Sequence, residues 1–148
     1  MTGTKEPQPM ERNCSGFDWS QLKKEMEQVW RQIPKPFRSE RSIQATLQAC
    51  LYHWLHRRGY VVVADYLPPR IQDRPVDIIA LNAQHELCCA ICIDTVVTLA
   101  AVKSLSSFEA QEKLILTTGL MEKKVQESRF FLKPGIEHIH LRPFDHPA

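Results

Sequence analysis

Long hydrophobic runs are missing from this 148-residue chain. No stretch approaches the roughly 18 consecutive apolar residues that a membrane-spanning helix needs. No apolar targeting segment follows Met1, so a cytoplasmic location is expected. Charge of one sign is equally scarce. Against 17 Asp and Glu stand 19 Lys and Arg, a formal net charge of +2, too small to imply a nucleic-acid partner by itself. The five cysteines, Cys14, Cys50, Cys88, Cys89 and Cys92, have no second Cys or His pair at zinc-finger spacing, and adjacent Cys88 and Cys89 would point to opposite faces of a strand. A zinc module is therefore not expected, and reduced thiols are expected in preference to a disulfide framework. There is no internal repeat and no sign of a second large domain.

What is present is ordinary globular material, 43% hydrophobic and 24% charged, in a chain long enough for one real core. Residues 1–16 are polar and aperiodic, include Pro7, Pro9, Ser15 and Gly16, and read as a flexible tail. Residues 17–38 read as an N-terminal helix and linker. Asp18 or Ser20 can cap the helix, Leu22, Met26, Val29, Trp30 and Ile33 stripe it, and Pro34 and Pro36 end it. A stripe of that kind docks on the domain or on a partner. Residues 39–148 form the main domain. Its first helix runs from a Ser39 cap to Gly59, with Ile43, Leu47, Cys50, Leu51, Trp54 and Leu55 at three- and four-residue steps. Glu40 and Gln44 continue that face toward the start of the helix.

The remainder alternates in kind. YVVVADYL reads as a strand, PPRIQDRP as a loop, VDIIAL as a strand, NAQH as a turn and ELCCAICID as a third strand. Residues 96–108 predict a helix, KLILTT a buried strand, MEKKVQESRFFL a helix and IEHIHL a last strand, before a proline-containing tail. The order α-α-β-β-β-α-β-α-β predicts an α/β sandwich: a central mixed sheet with a hairpin first, then strands joined through flanking helices. Residues 74–94 draw attention within it. Asp77 interrupts one apolar arm of the hairpin and Asp94 ends the other, and a carboxylate in a buried strand must be neutralised, which a divalent metal can do.

That order, together with Pro75-Val76-Asp77, Glu40 and Ile91-Cys92-Ile93-Asp94, resembles the common core of the PD-(D/E)xK restriction-endonuclease-like superfamily over roughly residues 39–141. The resemblance implies a restriction-endonuclease-like fold and a Mg²⁺-dependent phosphodiesterase. Asp77, Asp94 and Glu40 would be the metal ligands and, with Lys103 reaching back from the following helix, the catalytic set. This chain departs from the family's third-strand motif. Cys92 stands at the metal-binding acid and Asp94 at the lysine, and a thiol is a poor ligand for a hard cation. The expectation is an atypical or catalytically impaired nuclease.

Basic residues are unevenly spread. Eight cationic side chains face three acids between residues 31 and 75. Arg38, Arg41, Arg57, Arg58, Arg70 and Arg74 from this stretch are the expected contacts to nucleic-acid backbone, DNA ahead of RNA. The alternative is a non-catalytic protein-interaction subunit that keeps the fold as a scaffold and docks through the 18–33 helix; a homodimer fits either reading. His138 and His140 share one face of the last strand, but with no evident third ligand they read as surface or partly buried histidines.

Overall fold

Runs of β-branched and apolar residues separated by turn formers become strands in the computed structural model, which describes Cys14 and residues 16–145. The elements follow one another as α1 (Trp19–Gln32), α2 (Glu40–Arg57), β1 (Val61–Tyr66), β2 (Val76–Leu81), β3 (Leu87–Asp94), α3 (Leu99–Ser106), β4 (Glu112–Thr117), α4 (Glu122–Ser128) and β5 (Ile136–His140). Short 3₁₀ turns lie at Lys35–Phe37 and Arg129–Phe131. The five strands form one open mixed sheet in the order β1-β2-β3-β4-β5. β1 and β3 each pair antiparallel with β2; β4 pairs parallel with both β3 and β5. The architecture is α/β, with the element order expected from the sequence.

Two apolar layers cover the sheet. On one face Leu22, Met26 and Trp30 of α1 and Leu47, Leu51, Trp54 and Leu55 of α2 pack against Ile78, Ile91, Ile93, Leu114 and Leu116. On the other, Ala101, Val102 and Leu105 of α3 pack against Ile79, Ala90, Cys92 and Ile115. Burial of side chains this large, at roughly 1.5–3 kcal/mol each, holds the helices on the sheet. Caps set the helix ends. The Asp18 carboxylate accepts from the Gln21 N–H, and Ser39 and Ser42 form a reciprocal capping box at the start of α2. Gly59, at φ 92°, supplies the left-handed turn that releases the chain into β1.

Several expectations change here. Cys14 is not in a loose tail with a free thiol. It is buried and forms a disulfide with Cys88 of β3, 74 residues away, with the Cα atoms 4.7 Å apart. A pairing over that separation leaves no local spacing signal. The rest of the expected tail, residues 1–13 and 15, lies outside the described residues, as do residues 146–148 of the C-terminal tail. The stripe of α1 is buried within the fold, with Leu22, Met26 and Trp30 at most 2% exposed, so it is not offered to a partner. The helix expected over 96–108 begins only at Leu99, capped by Thr98, because the β-branched residues before it take a bend at 95–96 and an extended Thr98 instead of helical geometry. The helix expected after Gly119 leaves α-geometry at Ser128 and tightens into the 3₁₀ turn.

Candidate functional site

Alternation along the hairpin puts the two acids on one face. Ile78 of β2 stands opposite Ile91 of β3, so Asp77 falls beside Cys92, and Asp94 lies two residues further on the same face. Asp77 is buried at 7% exposure, and its Oδ2 accepts the Ile93 backbone N–H at 2.7 Å. Asp94 is half-buried, and its Oδ2 accepts the Thr98 hydroxyl at 3.0 Å, which ties the end of β3 to the N-cap of α3. Both acids remain in need of a positive charge.

The chain supplies that charge itself. Nη2 of Arg74 donates to Asp77 Oδ2 at 3.0 Å and to Asp94 Oδ1 at 3.1 Å. Its Nη1 donates to the Pro75 carbonyl, and its own carbonyl accepts the Ser104 hydroxyl at 2.6 Å. The loop before β2 is thereby fixed from both sides. From the opposite face α2 anchors the same strands: Gln44 Nε2 donates to the Ile93 carbonyl at 2.8 Å, and Gln48 Nε2 to the Asp77 carbonyl at 2.9 Å.

Electrostatics follow from this geometry. Burial pushes the Asp94 carboxyl up, and the Arg74 guanidinium pulls it back only in part. Burial opposes the charge on Arg74, but the Asp94 and Asp77 carboxylates outweigh it and hold the guanidinium more firmly protonated than usual. The Cys92 thiol is pushed up to about 12 by burial, so it is neither a thiolate ligand nor a nucleophile at neutral pH.

The other expected site residues are dispersed. Lys103 is exposed on α3 and lines a cleft of about 540 Å³ with Arg70, Asp73, Arg74, Leu99 and Ser104. Glu40 lines a different cavity, of about 390 Å³, with Thr95, Gly119 and Lys124 at the carboxyl ends of β3 and β4. Arg41 is exposed near Glu40 on the first turn of α2. Arg38 donates to the Ile33 and Arg31 carbonyls and lies over the Phe144 ring. Arg57 and Arg58 sit at the far end of α2, about 25 Å from its first turn at 1.5 Å per residue. There Arg57 meets Glu25, and Arg58 stacks on Trp54. The arginines that are contiguous in sequence thus divide among three places.

Among the described residues, no three His, Cys, Asp or Glu side chains are placed to hold a metal ion. Asp77 and Asp94, the two that do converge, already share one cation. A divalent ion would need several oxygen ligands with free lone pairs directed at one point. Sequence reasoning found the two acids and missed their counterion, because Arg74 resembled any other basic residue of the cationic stretch. Its spacing of three from Asp77 was the available signal. No protein-family model, curated protein or solved structure matches the chain.

Proposed function

We propose that the chain is a restriction-endonuclease-like domain that binds nucleic-acid backbone and has given up metal-dependent cleavage. The single observation carrying this reading is the Arg74 guanidinium between Asp77 and Asp94, at 3.0 and 3.1 Å. An arginine fixed there neutralises the charge a divalent ion would otherwise neutralise, and it cannot deliver a bound water for hydrolysis. The finer fold assignment is supported by the helix, three-strand, helix, strand order and by an acid on each of β2 and β3. The binding surface is the cleft beside Arg74. Arg70 and Lys103 are exposed there, and both suit phosphate oxygens.

The test is fluorescence anisotropy with duplex DNA and with RNA at low and moderate salt, alongside a cleavage assay with Mg²⁺ and Mn²⁺. Binding that weakens as salt rises, without cleavage, is expected, and Arg70→Ala with Lys103→Ala should weaken it further. Cleavage that Asp77→Ala abolishes would instead establish a working metal site. A second reading, a protein-interaction subunit, is favoured by one specific observation: Leu120, Met121 and Phe130 are 75%, 62% and 87% exposed around α4. Absence of salt-dependent binding to either nucleic acid would leave that reading standing.

A further inference from the structure

The opposite end of the sheet carries a second polar constellation. β5 is an edge strand, and a cleft of about 320 Å³ lies along it. Ser20 and Lys23 enter it from α1, Gln126 and Arg129 from the end of α4, and His138 and Arg142 from β5 and the residues after it. At its base Thr117 Oγ1 stands 2.8 Å from His138 Nε2 and 2.8 Å from His140 Nδ1. His140 Nε2 in turn lies 3.1 Å from Glu122 Oε2.

With His140 neutral, the hydrogens of this chain follow from the carboxylate at its end. Hydrogen bonds from Arg142 hold the Glu122 carboxyl below its ordinary range, so at neutral pH it is ionised and can only accept. His140 Nε2 must therefore carry a hydrogen. Burial pushes His140 down, so the ring is neutral and its Nδ1 is bare. Thr117 then donates its one hydroxyl hydrogen to that Nδ1. With no second hydrogen to give, Thr117 must accept from His138 Nε2, which leaves His138 Nδ1 bare. That nitrogen has no hydrogen-bond partner among the described residues.

Among the described residues, the lining of the cleft carries three cations, Lys23, Arg129 and Arg142, and no acid, and two of the three are paired with acids outside it. Lys23 is paired with Glu27, and Arg142 with Glu122 and Asp145. Arg129 is exposed and has no ion pair among the described residues. Donors thus converge from three elements, an arrangement that suits a tetrahedral anion better than a planar carboxylate. Burial, and then the neighbouring Arg129, His140 and Arg142, push His138 down to about 4.

We propose that this edge cleft is a phosphate-binding site, with Arg129 and the Nη1 of Arg142, which its bond to Glu122 through Nε and Nη2 leaves over, holding the anion and His138 at its floor. An anion bound beside His138 offsets the neighbouring cations and favours the charged ring against the cost of its burial, so binding draws a proton onto Nδ1. The titratable and charged groups that line the cleft with His138 are Lys23, Arg129, His140 and Arg142, and Glu27, Glu122 and Asp145 act on it through their pairs with these. The site is independent of the Arg74 cluster and does not rest on the function proposed above. The same chemistry is offered by a free or terminal phosphate and by a backbone phosphodiester.

The experiment is an NMR titration of the histidine side chains in the full chain, with inorganic phosphate in one arm and a dinucleoside monophosphate in the other, chloride holding ionic strength constant. A saturable shift of the His138 ring signals is expected. Its pKa should rise by about one unit at saturation, equivalent to about ten-fold tighter binding to the protonated ring. Arg129→Ala should abolish that response and, without any ligand, raise the His138 pKa while leaving the circular dichroism unchanged. A response to inorganic phosphate alone assigns the site to free or terminal phosphate; a response in both arms assigns it to backbone. No saturable shift beyond chloride in either arm, or an unchanged response in Arg129→Ala, overturns the proposal.

Discussion

Arg74 is the residue on which the hairpin's polar interior depends. It leaves two carboxylates without a counterion if removed, and breaking such a partly buried set costs about 3–5 kcal/mol. Arg74→Met should therefore lower the unfolding free energy by about that amount in urea denaturation. The sign of its pH dependence is fixed as well. Burial already raises Asp94, and without Arg74 that carboxyl rises further above its unfolded value. The native variant then binds more protons than the unfolded chain, so its stability should fall as pH rises through the carboxylate range and recover in mild acid. A pH-independent loss would mean that the guanidinium acts through packing alone. Asp77 and Asp94 were legible in the sequence because each breaks an apolar run. Arg74 was not, because its partnership with Asp94 crosses 20 residues and depends on how the loop from Pro68 to Pro75 turns. Thr117, His138 and His140 were similarly hidden: their meeting depends on the parallel register that sets Thr117 against His140.

Elements with strong local signals at both ends matched their expected bounds. α2 begins after a Ser39 cap and ends at Arg57, two residues before Gly59, and the apolar runs of β2 and β3 are strands. α3 was overextended because 95–98 is apolar and β-branched enough to resemble either state. The crossing from β4 into α4 hinges on Gly119, whose N–H donates to the Thr95 carbonyl at 2.8 Å. A Cβ there would stand 2.6 Å from that same backbone oxygen and 3.1 Å from Val125 Cγ2. Gly119→Ala should cost about 1–3 kcal/mol, as overpacking against backbone does. Hydrogen exchange should quicken at the ends of β3 and β4, while the distant β1 amides keep their protection. An alanine variant as stable as the wild type would show that the two loops separate freely.

For the molecule as a whole, the Cys14–Cys88 disulfide closes a loop spanning most of the core. Chain-entropy reasoning for a separation of 74 residues gives about 4 kcal/mol of stabilisation. Reductant should lower the melting temperature of the wild type and leave that of Cys14→Ser unchanged; equal sensitivity in both would assign the effect elsewhere. No helix among the described residues is long and apolar enough to cross a membrane. The Arg74 pairing bears on how such a molecule relates to its surroundings. A cation built into the polypeptide has no dissociation constant. Dilution cannot empty its place, a chelator cannot strip it, and the supply of metal outside does not set its occupancy. What sits between Asp77 and Asp94 is decided when the chain is synthesised.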